Sequence, residues 1–175
     1  MKLYAAYAIG AALVDTEIQV TDAELAAMNV KKGMMTLVDQ AQQRDMLTTL
    51  SDHLVRANHA SGGSAGNSMI ATAMMGAPTY MSCKVAQDAD GDIYLADLEQ
   101  SGVAHGLTER STDGVTGKCI VLITPDAERS LNTHLGISET LSTDEVDEAA
   151  IKGSEWVYLE GYLVTSPSGH AAALK

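Results

Sequence analysis

Among the 175 residues, the group best placed to do chemistry is the turn Ser61-Gly62-Gly63-Ser64-Ala65-Gly66-Asn67-Ser68. Two adjacent glycines ahead of a helix let main-chain N–H groups come close to a ligand oxygen at the positive helix end. A glycine turn that only makes room for packing has the same look, so the turn needs support from elsewhere. Asp15 follows the apolar triplet Ala12-Leu13-Val14, at a strand end where a carboxylate can accept hydrogen bonds from a pair of vicinal hydroxyls. A turn aspartate ahead of Thr16 is the plainer alternative. Glu160 and Gly161 interrupt the apolar run WVYLEGYLV. An acid there is costly to bury without a partner or a ligand, and ligands of α/β sheets bind at the carboxyl ends of the strands.

Other chemistries find little support. A Walker A loop needs GxxxxGK[ST], and the nearest stretch, Thr112 to Cys119, has Gly117-Lys118 but begins with Thr and ends in Cys. The glycine turn lacks the GxGxxG spacing of a dinucleotide fingerprint, and no GxSxG elbow of a serine hydrolase is present. The five histidines show no ligand spacing, and Cys83 and Cys119 form no zinc cluster, so no metal site is expected and both thiols read as reduced core residues.

Composition narrows the partners. Eleven Lys and Arg against 23 Asp and Glu give a net charge of -12, which repels phosphate backbones and anionic lipid. Neither nucleic acid nor a membrane surface is therefore expected. The densest acidic run, Thr143 to Glu148, reads as a solvated face. With no long apolar run in the sequence, a cytoplasmic protein is the default expectation.

The elements that must position these residues follow from periodicity. Tyr4 to Ile9 reads as a buried strand and Thr16 to Val20 as a half-exposed one. Thr21 with Glu24 forms a capping box for a helix over Asp22 to Met28. Met34 to Val38 reads as a short strand, Gln40 to Leu54 as a helix, and the glycine turn opens a small-residue helix through Met75. A buried strand is expected at Thr79 to Val85, a helix at Gly91 to Gln100, and an extended segment from Val103 to Arg110. Lys118 to Thr124 is the clearest central strand, and Pro125-Asp126 turns it into a polar strand over Glu128 to Leu135. Ser142 with Glu145 is a second capping box, launching a helix to about Lys152, and Trp156 to Leu159 reads as the last buried strand. Buried strands alternating with amphipathic helices predict an α/β sheet covered on both faces. The short half-polar strands do not fit that pattern and suggest a small second sheet standing off the main one.

Taken in order, these pieces resemble the ribokinase (PfkB-type) family over essentially the whole chain. Gly10-Ala11-Ala12-Leu13-Val14-Asp15 is similar to the family's opening G-N-x-L-x-D, and the glycine turn with Asn67 to its glycine-pair signature. Lys84 to Gly91 is similar to G-K-V-G-x-D-x-x-G, while Thr116 to Arg129 and Tyr158 to Tyr162 look closest to the bacterial adenosine-kinase-like branch. The resemblance implies a ribokinase-like three-layer α/β/α domain, here its N-terminal substrate-binding part, with a small β-sheet lid built from strands near 16–20, 34–38 and 128–135. It implies that Asp15, the Gly62-Gly63 backbone and Asn67 hold sugar or ribose hydroxyls, that Glu160 lines the same pocket, and that Arg129 approaches the phosphates. ATP and Mg2+ are implied for the intact kinase, with neither expected to bind tightly to these residues alone.

Two departures from the family pattern stand out. Ala11 occupies the position where the family has Asn, which removes one hydroxyl contact. The family's D-T-x-G-A-G-D signature, whose last Asp is the expected base, and its N-x-x-E motif do not occur in the sequence, so the isolated chain is expected to be inactive. Two readings stay open: an ATP-dependent kinase acting on a sugar or nucleoside hydroxyl, with an adenosine-like riboside the best guess, or a non-catalytic sugar- or nucleoside-binding or assembly module. In either case a homo-oligomer held by the lid or by an exposed sheet edge is expected.

Overall fold

Two sheets of different character share the chain, of which the computed structural model describes residues 2–56, 58–107 and 110–175. The elements run β1 (Tyr4–Ile9), β2 (Leu13–Gln19), α1 (Asp22–Ala27), β3 (Met35–Leu37), α2 (Gln40–Thr49), β4 (Asn58–Gly62), α3 (Ser64–Met74), β5 (Thr79–Ser82), α4 (Ala89–Gln100), β6 (Val103–His105), β7 (Gly117–Ile123), β8 (Arg129–His134), α5 (Glu148–Lys152), β9 (Ser154–Leu159) and α6 (Pro167–Leu174).

The main sheet is parallel in the order β6-β5-β1-β9. Because successive side chains point to opposite faces, β1 serves two cores at once. Ala8 packs with Ala65 and Met69 of α3 and with Tyr94 and Leu98 of α4. Tyr7 and Ile9 face the other way, toward Leu141, Ala150 of α5, Leu163 and Ala172 of α6. Alanines on the α3 side let that helix come close, while Tyr7 fills the opposite side by stacking on Tyr80 at 5.7 Å. Helices on both faces give three layers, as expected from the alternation of elements.

The second sheet, β3-β8-β7-β2-β4, is mixed: β2 runs parallel to β7 and antiparallel to β4, while β8 runs antiparallel to β7. One face is covered by α1 and α2 through Ile18, Val20, Leu25, Leu50, Ile120 and Leu122. Both helices start on reciprocal capping boxes, Thr21 with Glu24 and Asp39 with Gln42. Gln43 of α2 is buried and donates its amide to the carbonyls of Lys118 and Asn132, which fixes the helix over β7 and β8. The opposite face looks back at the main domain and forms the lid over the crevice between them.

Several sequence expectations need correction. The strand around Lys118 to Thr124 is central, but in the lid sheet between β2 and β8. Trp156 to Leu159 is a strand but not a buried one: among the described residues β9 has only β1 beside it, and Trp156 is 74% exposed. The Ser142–Glu145 capping box exists, but it closes a single 3-10 turn, and α5 begins anew on the Asp147 cap. The helix from Gln40 ends at Thr49 and gives way to a 3-10 turn, with its cap residue Leu50 buried in the core between the lid sheet and α1. The extended segment from Val103 is regular only through His105, and its residues 108 and 109 lie outside the described residues. Strand β4 and helix α6 had no clear periodic signal, since β4 reads NHASG and α6 is nearly uniform in hydropathy.

Candidate functional site

The main sheet changes direction at β1: β5 and β6 lie to one side of it and β9 to the other. A crevice opens at the carboxyl ends of strands at such a switch point, and here it holds Gly10 and Ala11 after β1 and Glu160 after β9. Glu160 is only 3% exposed. Its Oε2 accepts the Ala11 N–H at 2.8 Å, so the two strand ends are tied across the crevice. A Cβ on Gly10 would stand 2.0 Å from that oxygen, which is why the position before Ala11 must be glycine. Burial pushes the Glu160 carboxyl above its ordinary pKa, against the opposing pull of the Ala11 N–H and the Ser64 hydroxyl.

Asp15 enters from the lid. It sits on β2 between Cys119 of β7 and Ala60 of β4, and its side chain points to the face opposite α1 and α2. Burial is the main cause that raises its pKa to about 6, with Arg129 pulling down and Glu17 pushing up. Gly62 lies directly against this carboxylate: a Cβ there would be 2.2 Å from Oδ1. Gly63 adopts φ 83°, a left-handed conformation suited to glycine, and a Cβ there would also meet the Ala11 carbonyl at 2.6 Å. That turn opens α3, whose first two turns carry Ser64 and Asn67.

These groups meet around one cavity of about 270 Å3. Its polar side is Asp15, Gly63, Ser64, Asn67 and Glu160, and its lid side is Leu13, Met35, Leu37, Leu131 and Leu135, with Tyr162 and Thr165 closing the end. Of the residues singled out in the sequence, Asp15, Gly63, Asn67 and Glu160 line the cavity, and Gly62 supports Asp15 from behind. Arg129 does not line it: on β8 it forms an ion pair with Glu17 of β2. The apolar wall was not singled out, although the alternation Leu131, Thr133, Leu135 in a polar strand marks one face of it. A larger cleft of about 690 Å3 lies at the ends of β5 and β6 beside residues 144–148 of the acidic run, and none of Asp15, Gly62, Gly63, Asn67, Arg129 and Glu160 reaches it.

Both thiols are buried and unpaired, with burial pushing Cys83 up to about 12 and Cys119 to about 11, which keeps them protonated. Among the described residues no group of three or more His, Cys, Asp or Glu side chains is placed to hold a metal ion. No helix among the described residues is long and apolar enough to cross a membrane.

Comparison with known proteins places this geometry. The pattern of the pfkB family carbohydrate kinases matches residues 26–175. The structure of a probable sugar kinase from Rhizobium etli CFN 42 superposes with a TM-score of 0.90 at 30% identity, over 99% of this chain and 52% of that one. Adenosine kinase from Sinorhizobium meliloti superposes with a TM-score of 0.88 at 31% identity, over 97% of this chain and 50% of that one. Mouse ribokinase is 25% identical over 113 residues, which is 65% of this chain and 35% of the mouse protein. The chain thus spans about half the length of the solved structures it matches. With the family pattern covering most of its sequence and a ribokinase-like fold throughout, the chain belongs to the pfkB family of carbohydrate kinases.

Proposed function

We propose that the cavity binds the sugar of a riboside, and that the whole protein is a kinase that phosphorylates a hydroxyl of that ligand, with adenosine the best candidate. The observation that carries this is the division of one cavity into a hydroxyl-accepting side and an apolar wall. Asp15 and Glu160 accept hydroxyl protons, the Gly62-Gly63 main chain and Asn67 complete the polar side, and the Met35, Leu37, Leu131 and Leu135 wall suits a planar base better than water. A free sugar leaves that wall without a partner.

The family implies ATP as phosphate donor for the whole protein. Mg2+ and the transferring base belong to a part of the protein beyond the residues here, so the 175-residue chain by itself binds without phosphorylating. Arg129 swings from Glu17 toward the donor phosphates in this reading, and a compartment of the cytoplasm fits a nucleotide-using enzyme. Self-association belongs to the same reading, through the edge of β9 that is unpaired among the described residues or through β3 at the rim of the lid.

Calorimetry with adenosine, inosine, ribose and fructose tests the reading. The expected result is adenosine tightest and a loss of about 1–3 kcal/mol for Asp15→Ala and for Asn67→Ala. Affinity unchanged in both variants removes these residues from the site, and equal affinity for ribose and adenosine removes the base from the apolar wall. A coupled assay for ADP release, with no turnover expected from this chain, separates binding from catalysis.

A further inference from the structure

Helix α4 belongs to the layer over the main sheet, yet its Asp97 reaches out of that layer. The carboxylate accepts the main-chain N–H of Ser61 at 2.8 Å. Ser61 lies in β4, the outer strand of the lid sheet, which among the described residues pairs only with β2, with Ser61 opposite Val14. An outer strand turns alternate N–H groups away from its neighbour, where they need another partner. Asp97 supplies that partner at the last residue before Gly62 and Gly63.

The same face of α4 carries Tyr94 three residues earlier, fully buried, with its hydroxyl so close beneath Gly66 that a Cβ there would stand 2.4 Å away. Neither the Tyr94 hydroxyl nor the Ser61 hydroxyl has a hydrogen-bond partner among the described residues. Of the polar groups between α4 and the glycine turn, the Asp97 carboxylate is therefore the one that makes a directed bond. What it fixes is consequential, because Gly62 is in contact with the Asp15 carboxylate and Gly63 with the Ala11 carbonyl. A shift of the turn by a fraction of an ångström moves both walls of the cavity.

We propose that Asp97 is a positioning residue for ligand binding: from outside the cavity it sets the glycine turn, and through Gly62 the Asp15 carboxylate. This rests on the reading of the cavity as a riboside site. The bond also joins the main domain to the lid sheet at the point where the chain crosses between them.

The test compares the chain with Asp97→Ala and Asp97→Asn, the second of which keeps an oxygen acceptor. Amide hydrogen exchange is read at Ser61 to Ser64 and at β1 and β5, and adenosine affinity is read by calorimetry. In Asp97→Ala, exchange at Ser61 to Ser64 rises about tenfold while β1 and β5 keep theirs, and adenosine affinity falls about fivefold to twentyfold. Asp97→Asn restores most of both. Retained protection and retained affinity in Asp97→Ala overturn the proposal, and so does a loss of protection shared equally by β1 and β5, which marks a general loss of stability. If no variant, nor the parent chain, binds adenosine, the riboside reading fails instead, and the local exchange at the turn still decides whether Asp97 positions it.

Discussion

Glu160 and Ala11 are joined by a 2.8 Å hydrogen bond although they stand 149 residues apart in sequence. The bond ties the end of the last strand to the end of the first, and it places a carboxylate at the floor of the cavity in the same act. Removing the acceptor strands a buried N–H, whereas an amide keeps it satisfied. Glu160→Ala is expected to lower stability by about 1–3 kcal/mol and Glu160→Gln by less than about 1 kcal/mol, read from urea unfolding midpoints. Equal effects of the two changes would mean that the charge, not the hydrogen bond, matters at this position.

Gly62 makes a second, independent test of the site. A methyl group there collides with the Asp15 carboxylate, which is short and has little room to swing away. Gly62→Ala is expected to cost about 1–3 kcal/mol in stability and to abolish measurable riboside binding. In an Asp15→Ala background the collision partner is gone, and the same change should cost less than about 1 kcal/mol. The size of the non-additivity in this double-mutant cycle measures the contact.

The raised pKa of Asp15 predicts a pH dependence with a definite sign. The folded chain holds this proton to about pH 6, while an unfolded Asp releases it near 3.8. Below both values the group contributes nothing. As pH rises from about 4 to about 6 the unfolded state sheds the proton first, so the Asp15 contribution to stability falls over that window and is flat above it. Asp15→Asn should therefore gain stability relative to the parent chain between pH 4 and pH 7, and match it below pH 4. Riboside binding runs the other way, since the ionised carboxylate is the better hydroxyl acceptor, and adenosine affinity should strengthen as pH rises through 6. A variant-minus-parent difference that is constant with pH would remove Asp15 from the titrating groups.

Self-association has two candidate surfaces, and the structure decides which substitutions separate them. On β9, Val157 is 49% exposed; on the rim of the lid, Leu37 is 53% exposed. Val20 is unsuitable as a lid probe, because it is buried under α1 and α2. Light scattering from about 5 to 500 μM should show a dimer or larger particle, and either Val157→Lys or Leu37→Lys should dissociate it while the fold persists. A monomer across the whole range defeats the expectation.

How much of this was legible in the sequence depended on what kind of signal each residue carries. Asp15, Gly62, Gly63, Asn67 and Glu160 stand out as single anomalies, a charge or a glycine where the local pattern asks for something else. The apolar wall does not, because Met35, Leu37, Leu131 and Leu135 look like ordinary core residues of short strands until the lid is placed over the crevice. Arg129 is expected near phosphates on family grounds, and its pairing with Glu17 across the intervening strand β7 has no sequence signature. The exposure of β9 was hidden for a related reason. Its residues Trp156, Val157, Tyr158 and Leu159 have the composition of a buried strand, and composition does not say whether a neighbour is present.

The order of strands in the main sheet has a consequence for how the chain is made. β1 is an inner strand whose neighbours are β5 and β9, so Tyr4–Ile9 acquires its second neighbour only once Ser154–Leu159 has emerged. At typical elongation rates of about 5–20 residues per second, that leaves one edge of β1 open for roughly seven to thirty seconds on each ribosome. The three alanines among Tyr4–Ile9 lessen the apolar surface this strand offers a nascent neighbour, compared with Val or Leu at the same positions. Slower translation over the stretch before β9 lengthens that exposure and is expected to divert more of the chain into aggregate, read as a smaller soluble fraction.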